Sequence, residues 1–296
     1  MSELSRKMMD HVSSVNVNII LPWLTKLMML FNVFNYQDFI NLLQKVEDIF
    51  KKEVEKRINA KEELTKDDLI GCYLQEIEKR KNDSQPHNFN VINLRGNLLM
   101  LFLSGQDATI ASVSWLLLLM AKYSDVQTKV CEEIDRVIGR DGTVYFNDKT
   151  KLPYTMATML EMLRYISINP LFPPRYVLDT FNFGGYTIPQ GAQVVCNSWA
   201  MLHDSRYFND PMTFKPERFL KEEGIKAEKV KGYGPFSFGK RNCPGEGIAM
   251  MTMYLYFVSI MQKFKIRAPD GGSPDMEYKF SAGVLPKPQK LCFIER

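Results

Sequence analysis

The ten residues Phe236-Ser-Phe-Gly239-Lys-Arg241-Asn-Cys243-Pro-Gly245 concentrate more chemistry than any other stretch of the chain, and an apolar helical segment follows them directly. A cysteine at a helix N-terminus faces unpaired backbone N–H groups, and Lys240 and Arg241 add cations. That setting favours the thiolate, which is the metal-binding form of the side chain. Gly239 and Gly245 carry no Cβ, so backbone can approach a flat ring closely. Arg241 offers a fork of N–H donors that fits a carboxylate. The opposing reading is a buried structural cysteine, the usual state of a lone one. Two glycines and an arginine at fixed offsets from Cys243 weigh against it.

A second pattern lies in Thr155–Ile168, which is apolar nearly all round and carries only Glu161 and Arg164 as charges. Such a helix is buried. Two charges three residues apart then share a face and must pair, because an unpaired buried charge is very costly. The third pattern is Ser104-Gly105-Gln106-Asp107-Ala108-Thr109, a polar centre inside the apolar stretch Leu98–Ala121. A serine and a glycine inside a helix cost roughly 1 kcal/mol in propensity, which close packing or function offsets. Read alone, one buried acid in a helix is more often a structural site.

Periodicity defines the elements that carry these residues. Gln37–Ile58 repeats Phe39, Leu42, Leu43, Val46, Ile49, Phe50 and Val54 at helical spacing, an amphipathic surface helix. Thr65 with Asp68 three residues on marks a capping-box start for a helix to about Arg80, and Lys81–Asn90 is a loop. A long helix is expected from about Phe89 to Lys122, then an amphipathic one to about Val137 that Gly139 closes. The charged run after Gly142 reads as loop, and Pro153 opens a helix to about Ile168. Arg175–Val177, Tyr186–Ile188 and Gln193–Asn197 are short β-type runs set off by Gly184-Gly185 and Pro189-Gln190-Gly191, as in one small twisted sheet. After the loop-rich stretch Asp204–Gly234, an apolar helix is expected from about Gly245 to Lys263. β-like runs follow around Phe280–Val284 and Leu291–Ile294. The fold class is mainly α with a small β-sheet region, without internal repeat or flexible linker.

Composition closes off several function classes. The chain has 296 residues, 45% hydrophobic and 24% charged, as a folded globular protein does. Its 38 basic and 34 acidic residues leave +4, too small and scattered an excess for nucleic-acid binding. Cys72, Cys131, Cys196, Cys243 and Cys292 form no Cys-x-x-Cys pair, which argues against a disulfide framework or structural zinc and for a reducing compartment. Met1–Ser14 lacks the layout of a signal peptide. Leu98–Ala121 fails as a membrane span because an acid at mid-bilayer costs about 2.5–3.5 kcal/mol. Val17–Phe34 fails through Asn18, Pro22, Lys26 and Asn32. That segment, with Trp23, either touches a membrane surface peripherally or packs as a buried helix.

The loop pattern Phe-x-x-Gly-x-Arg-x-Cys-x-Gly resembles the haem-binding signature of the cytochrome P450 family at every defining position. Glu161-x-x-Arg164 resembles the family's Glu-x-x-Arg motif. Phe214-Lys-Pro216-Glu217-Arg218-Phe219 resembles the segment that supplies a further arginine, making Glu161, Arg164 and Arg218 a structural triad. The resemblance covers essentially the whole chain and is closest to animal microsomal members of the drug- and steroid-hydroxylating type. It implies the cytochrome P450 fold and haem b (iron protoporphyrin IX) with Cys243 as axial iron ligand. Thiolate ligation favours O–O cleavage by pushing electron density onto the iron. Phe236, Gly239, Arg241 and Gly245 would shape the haem site. Arg175, in Pro173-Pro-Arg175, would meet a propionate.

The same resemblance implies a monooxygenase that inserts one oxygen atom of O₂ into an apolar small molecule, with electrons from NADPH-cytochrome P450 reductase. Pro170–Phe172 and Gly283-Val284 would line the substrate pocket. Lys226, Lys229, Lys231 and Lys240 would steer the acidic donor, a solvated lysine face being the plain alternative. For a full-length protein the location implied is the endoplasmic reticulum membrane, on its cytosolic face.

This sequence departs from the family pattern twice. In the family a threonine that relays protons to bound oxygen follows the acid of the long helix, whereas Ala108 follows Asp107 here. Thr109 lies about 100° further round the helix and takes over only through a local bulge or register shift. Asp107 and Thr109 are the catalytic candidates on those terms. A substrate hydroxyl or ordered water can replace the relay, oxygen can leak away as peroxide, or the protein is an isomerase or dehydratase that activates no oxygen. The second departure is extent. Residues 1–296 are expected to be the C-terminal part of the catalytic domain, without membrane anchor or first part of the fold, so that a truncated non-catalytic product stands as the alternative to an active enzyme.

Overall fold

The structure is a computed structural model that describes residue 31 and residues 36–60, 68–83, 87–221, 224–280 and 283–296. The chain divides into two compact units, residues 1–107 and residues 108–296. Most of Val17–Phe34 lies outside the described residues, as does Thr65.

In the first unit, helix α1 (Tyr36–Asn59) buries Val46 and Val54 completely, as the helical spacing predicts. Ile49 stays exposed, so the apolar stripe is narrower than the sequence suggests. Helix α2 (Leu69–Arg80) is capped by Asp68 itself, in extended conformation, whose Oδ1 accepts the Gly71 N–H at 2.9 Å. Asp68 is therefore the N-cap and not the closing N3 residue of a capping box. The Gly71 N–H and the Arg57 guanidinium hold its carboxyl below the ordinary carboxylate range. Val54, Ile70, Leu74 and Leu94 form the small core between these helices.

Helix α3 (Val91–Lys122) starts two residues later than expected, and the Asn90 side chain accepts the Asn93 N–H at 2.8 Å at its start. By length and hydropathy α3 is sufficient to cross a membrane. Its C-terminal half nevertheless belongs to the core of the second unit, where Trp115, Leu116, Leu119 and Met120 are at most 1% exposed.

The second unit surrounds that core with α4 (Ser124–Val137), α5 (Pro153–Ile166) and α7 (Glu246–Lys263), α6 (Ser198–Leu202) being a single short turn. Gly139 ends α4 at φ +78°, where its N–H and that of Ile138 both donate to the Ile134 carbonyl. The charged run read as loop contains a 3₁₀ turn, Phe146–Lys151, whose aromatic ring packs edge-on against Tyr254. Pro153 takes the first position of α5, as its missing N–H favours. The other orphan donors of that end are met by the buried carboxylate of Glu133. It accepts the N–H groups of Tyr154 and Thr155 at 2.9 and 2.8 Å and the Thr155 hydroxyl at 2.7 Å. Helix α5 stops two residues short of Ile168 because Ser167 turns into the left-handed region at φ 49°.

Among the described residues the β-structure is five separate antiparallel pairs, not one twisted sheet. β1 (Arg175–Tyr176) pairs with β4 (Gln193–Val194), and β2 (Phe181–Phe183) forms a hairpin with β3 (Tyr186–Ile188). Gly184 and Gly185, both at positive φ, make the two-residue turn of that hairpin. β5 (Leu220–Lys221) pairs with β6 (Lys226–Ala227). β7 (Phe264–Arg267) continues from α7 and pairs with β10 (Cys292–Glu295), while β8 (Tyr278–Phe280) pairs with β9 (Val284–Pro286).

Candidate functional site

The loop before α7 is closed by its own backbone. The Cys243 N–H donates to the Phe236 carbonyl at 2.9 Å, and the Asn242 N–H to that of Gly239 at 3.2 Å. Two residues in the left-handed region make this reversal, Ser237 at φ 67° and Gly239 at φ 72°. For Gly239 that conformation carries no steric cost, which is the local reason a glycine stands there. Gly245 is the N-cap of α7 and offers no side-chain cap. A Cβ on it would lie 3.8 Å from the Cys243 sulfur, so larger side chains would crowd that atom.

Phe236 anchors the loop by packing against the main core, whereas Cys243, Arg241 and Lys240 are exposed. The reading of Cys243 as a buried structural cysteine is therefore excluded by its position. Sequence reasoning did not single out Gly234. The Phe238 ring lies where a side chain on Gly234 would be, with Cζ 2.0 Å from the Cβ position. Phe238 itself is 57% exposed next to the loop glycines.

Strand β1 brings Arg175 to this loop, its Nη2 donating to the Arg241 carbonyl at 3.5 Å. The two arginines predicted to meet carboxylates are thus neighbours, and the guanidinium of Arg241 forms no ion pair among the described residues. The lysine cluster is more engaged than the sequence suggests. Lys229 pairs with Glu246 at 2.5 Å and Lys226 lies 4.0 Å from Glu228, while the ammonium of Lys231 sits 5.9 Å from the Tyr207 ring centre. Lys240 forms no ion pair among the described residues.

The Glu161 triad is fully assembled. Glu161 and Arg164 have no exposed side-chain surface and meet in a bidentate pair, Nε–Oε2 at 2.7 Å and Nη2–Oε1 at 2.8 Å. Arg218 Nε reaches Glu161 Oε1 at 3.0 Å, and the Lys215 N–H donates to the same oxygen at 2.8 Å. The remaining donors of Arg164 go to the carbonyls of Leu202, Pro211 and Thr213, and those of Arg218 to Asn209, Asp210 and Thr213. The triad therefore ties α5 to the segment 202–218 and spends its donors on structure.

Asp107 and Thr109 lie on α3. Asp107 is half-buried, and desolvation alone pushes its carboxyl from the ordinary 3.8 up to about 6. The helix is continuous α through Ala108 and Thr109, without the bulge that would carry Thr109 into the Ala108 position. Of the segments predicted to line a pocket, Gly283-Val284 is held at Ile168, where the Val284 N–H donates to the carbonyl at 2.7 Å. Pro170–Phe172 is pinned by the Trp199 N–H to the Pro170 carbonyl and by the Phe172 N–H to the Cys196 carbonyl.

The loop thus holds an exposed cysteine on a glycine-rich turn, with Arg241 two residues before it, Arg175 against the Arg241 carbonyl and a mainly helical scaffold behind. The family model for cytochrome P450 matches residues 1–293. Among curated relatives, the chain is 33% identical over 299 residues to cytochrome P450 2G1 of Rattus norvegicus, covering 98% of this chain and 60% of that protein. It is 36% identical over 264 residues to cytochrome P450 2C44 of Mus musculus, covering 88% and 53%. With cytochrome P450 2C8 of Homo sapiens the identity is 36% over 229 residues, covering 77% and 46%. This chain belongs to the cytochrome P450 family. It spans about half the length of the curated relatives it matches.

Proposed function

We propose that the protein is a haem-thiolate monooxygenase that inserts one atom of O₂ into an apolar organic substrate. The observation that carries this reading is the exposed Cys243, on a loop closed by the Phe236 carbonyl, with Gly245, which has no side chain, two residues on. The donor set suits haem: one thiolate for iron, the Arg241 and Arg175 guanidiniums for propionates, and glycine where the ring would lie against backbone. When bound, haem supplies reductive activation of O₂, one oxygen entering a C–H bond and the other leaving as water, with two electrons and two protons consumed.

The chain's own residues then hold and move charge. Phe236 and the turns at Ser237 and Gly239 hold the sulfur at the start of α7. Asp107, with a carboxyl near pH 6, takes and gives a proton close to neutrality, which suits it to proton delivery. Thr109 is second in that role, because the continuous helix keeps its hydroxyl about 100° away from the Ala108 position. Leu171, on the pinned segment after α5, presents an exposed apolar side chain, in keeping with an apolar substrate. Lys240 and Lys231 are the cations left to attract an acidic electron donor, for which NADPH-cytochrome P450 reductase is the expected partner. The proposed location is the cytosolic face of the endoplasmic reticulum membrane.

Reconstitution with haem tests this reading. The reduced protein under carbon monoxide should show the red-shifted Soret band of thiolate ligation, and Cys243→Ser should abolish it. Absence of haem uptake, or the same band in Cys243→Ser, would refute the assignment.

A further inference from the structure

One of the two segments assigned to the substrate wall is held by a tryptophan that no motif singles out. Trp115 is 1% exposed on α3, and its indole N–H donates to the Val284 carbonyl at 2.9 Å. A buried indole N–H needs an acceptor, and this one takes the carbonyl of the first residue of β9, 169 residues away. The Val284 N–H is held in turn by the Ile168 carbonyl at 2.7 Å, so both backbone groups of Val284 are fixed. Gly283 rests on that same carbonyl: a Cβ there would lie 2.6 Å from Ile168 O and 3.1 Å from Asn169 Oδ1. The Asn169 carbonyl accepts the Ser198 hydroxyl, and the Pro170 carbonyl the Trp199 N–H at 3.1 Å. One continuous set of bonds therefore runs from α3 through Val284 and Ile168 to the segment that presents Leu171.

We infer that Trp115 and Gly283 are positioning residues for substrate selection. Trp115 holds the Gly283–Val284 turn down from one side, and the absent side chain of Gly283 lets it rest on Ile168 from the other. Together they set the separation of this turn from Pro170–Phe172 and hence the width of the slot offered to an apolar substrate. The inference rests on the monooxygenase reading and adds residues that touch neither haem nor substrate.

Two variants of the haem-loaded protein test it. Trp115→Phe keeps an aromatic ring and removes the N–H, and Gly283→Ala adds the one carbon that meets the Ile168 carbonyl. Both should give the wild-type carbon monoxide spectrum. The dissociation constant for naphthalene, read from the spin-state shift of the haem, should change by about tenfold, with KM moving alongside it and kcat holding. Amide exchange at Val284 should accelerate by about tenfold in both, with or without haem. An intact spectrum with unchanged naphthalene affinity overturns this inference alone. A wild-type protein without the thiolate spectrum overturns the reading beneath it, and unaltered Val284 exchange in both variants then removes the latch as well.

Discussion

Glu161→Ala should be among the most destabilising single substitutions in the second unit, and the structure sets its size. The carboxylate accepts four hydrogen bonds, two from Arg164 and one each from Arg218 and the Lys215 N–H, at 2.7–3.0 Å and with no solvent exposure. Removing it leaves the buried Arg164 guanidinium with three carbonyl partners and an uncompensated charge. Breaking a buried pair from one side costs about 3–5 kcal/mol. For a unit of this size that lowers Tm by roughly 6–20 °C and takes a large share of a total stability of about 5–15 kcal/mol. Urea unfolding followed by tryptophan fluorescence reads the change as a midpoint shift at constant slope. The double substitution Glu161→Leu with Arg164→Met removes both charges of the central pair and should cost clearly less than the sum of the single losses. A single-variant loss below about 1 kcal/mol, or strict additivity in the double, would refute the view that this buried pair holds α5 to the segment 202–218.

Three further outcomes follow from the same geometry. Gly245→Val should leave the unfolding midpoint near that of the wild type yet reduce haem retention, because branched carbons would crowd a sulfur already 3.8 Å from the Cβ position; equal haem stoichiometry after gel filtration would contradict this. The Asp107 carboxyl is raised by burial from 3.8 to about 6, so the stability tied to its neutral form is complete below the lower value and is lost as pH rises through the upper one. Asp107→Asn should therefore match the haem-free wild type near pH 4 and exceed it above pH 6, and thermal unfolding curves that run parallel across that range would exclude the shift. Ala108→Thr restores a hydroxyl one position after the acid and should lower peroxide released per NADPH consumed in the reductase-coupled protein; unchanged leakage would show that proton delivery does not pass through that position.

The helices were legible because their causes are local. Apolar spacing defines α1, Pro153 opens α5 and Gly139 closes α4, each through a residue inside or beside the element. What stayed hidden depends on partners distant in sequence. Glu133 caps α5 from another helix, and nothing near Pro153 signals that contact. Strand β7 follows α7 without a glycine or proline between them, so only its pairing with β10 turns Phe264–Arg267 into a strand. The small sheet breaks into pairs because strands as short as Arg175–Tyr176 and Gln193–Val194 leave little ladder for a third to join. The cysteine loop was legible for a different reason: the residues that shape its backbone are the same ones that carry its chemistry. The ion pairing within the lysine cluster and the part played by Gly234 were not, since side-chain pairing and the position of the Phe238 ring are tertiary facts.

Burial separates the two motifs that sequence alone presents as equals. Glu161 and Arg164 have no exposed side-chain surface, and their donors and acceptors are used within the fold, which leaves them nothing to offer a ligand. Cys243 and Arg241 are exposed, and Gly239 and Gly245 shape backbone beside them instead of filling core. A polar group that has already met its partners can stabilise but cannot bind, whereas one whose partners lie outside the chain can bind at little cost to the fold. It follows that Cys243→Ser should alter the spectrum of the loaded protein and leave the unfolding midpoint of the haem-free chain in place. Glu161→Ala should move that midpoint without changing which atom ligates iron in whatever fraction remains folded.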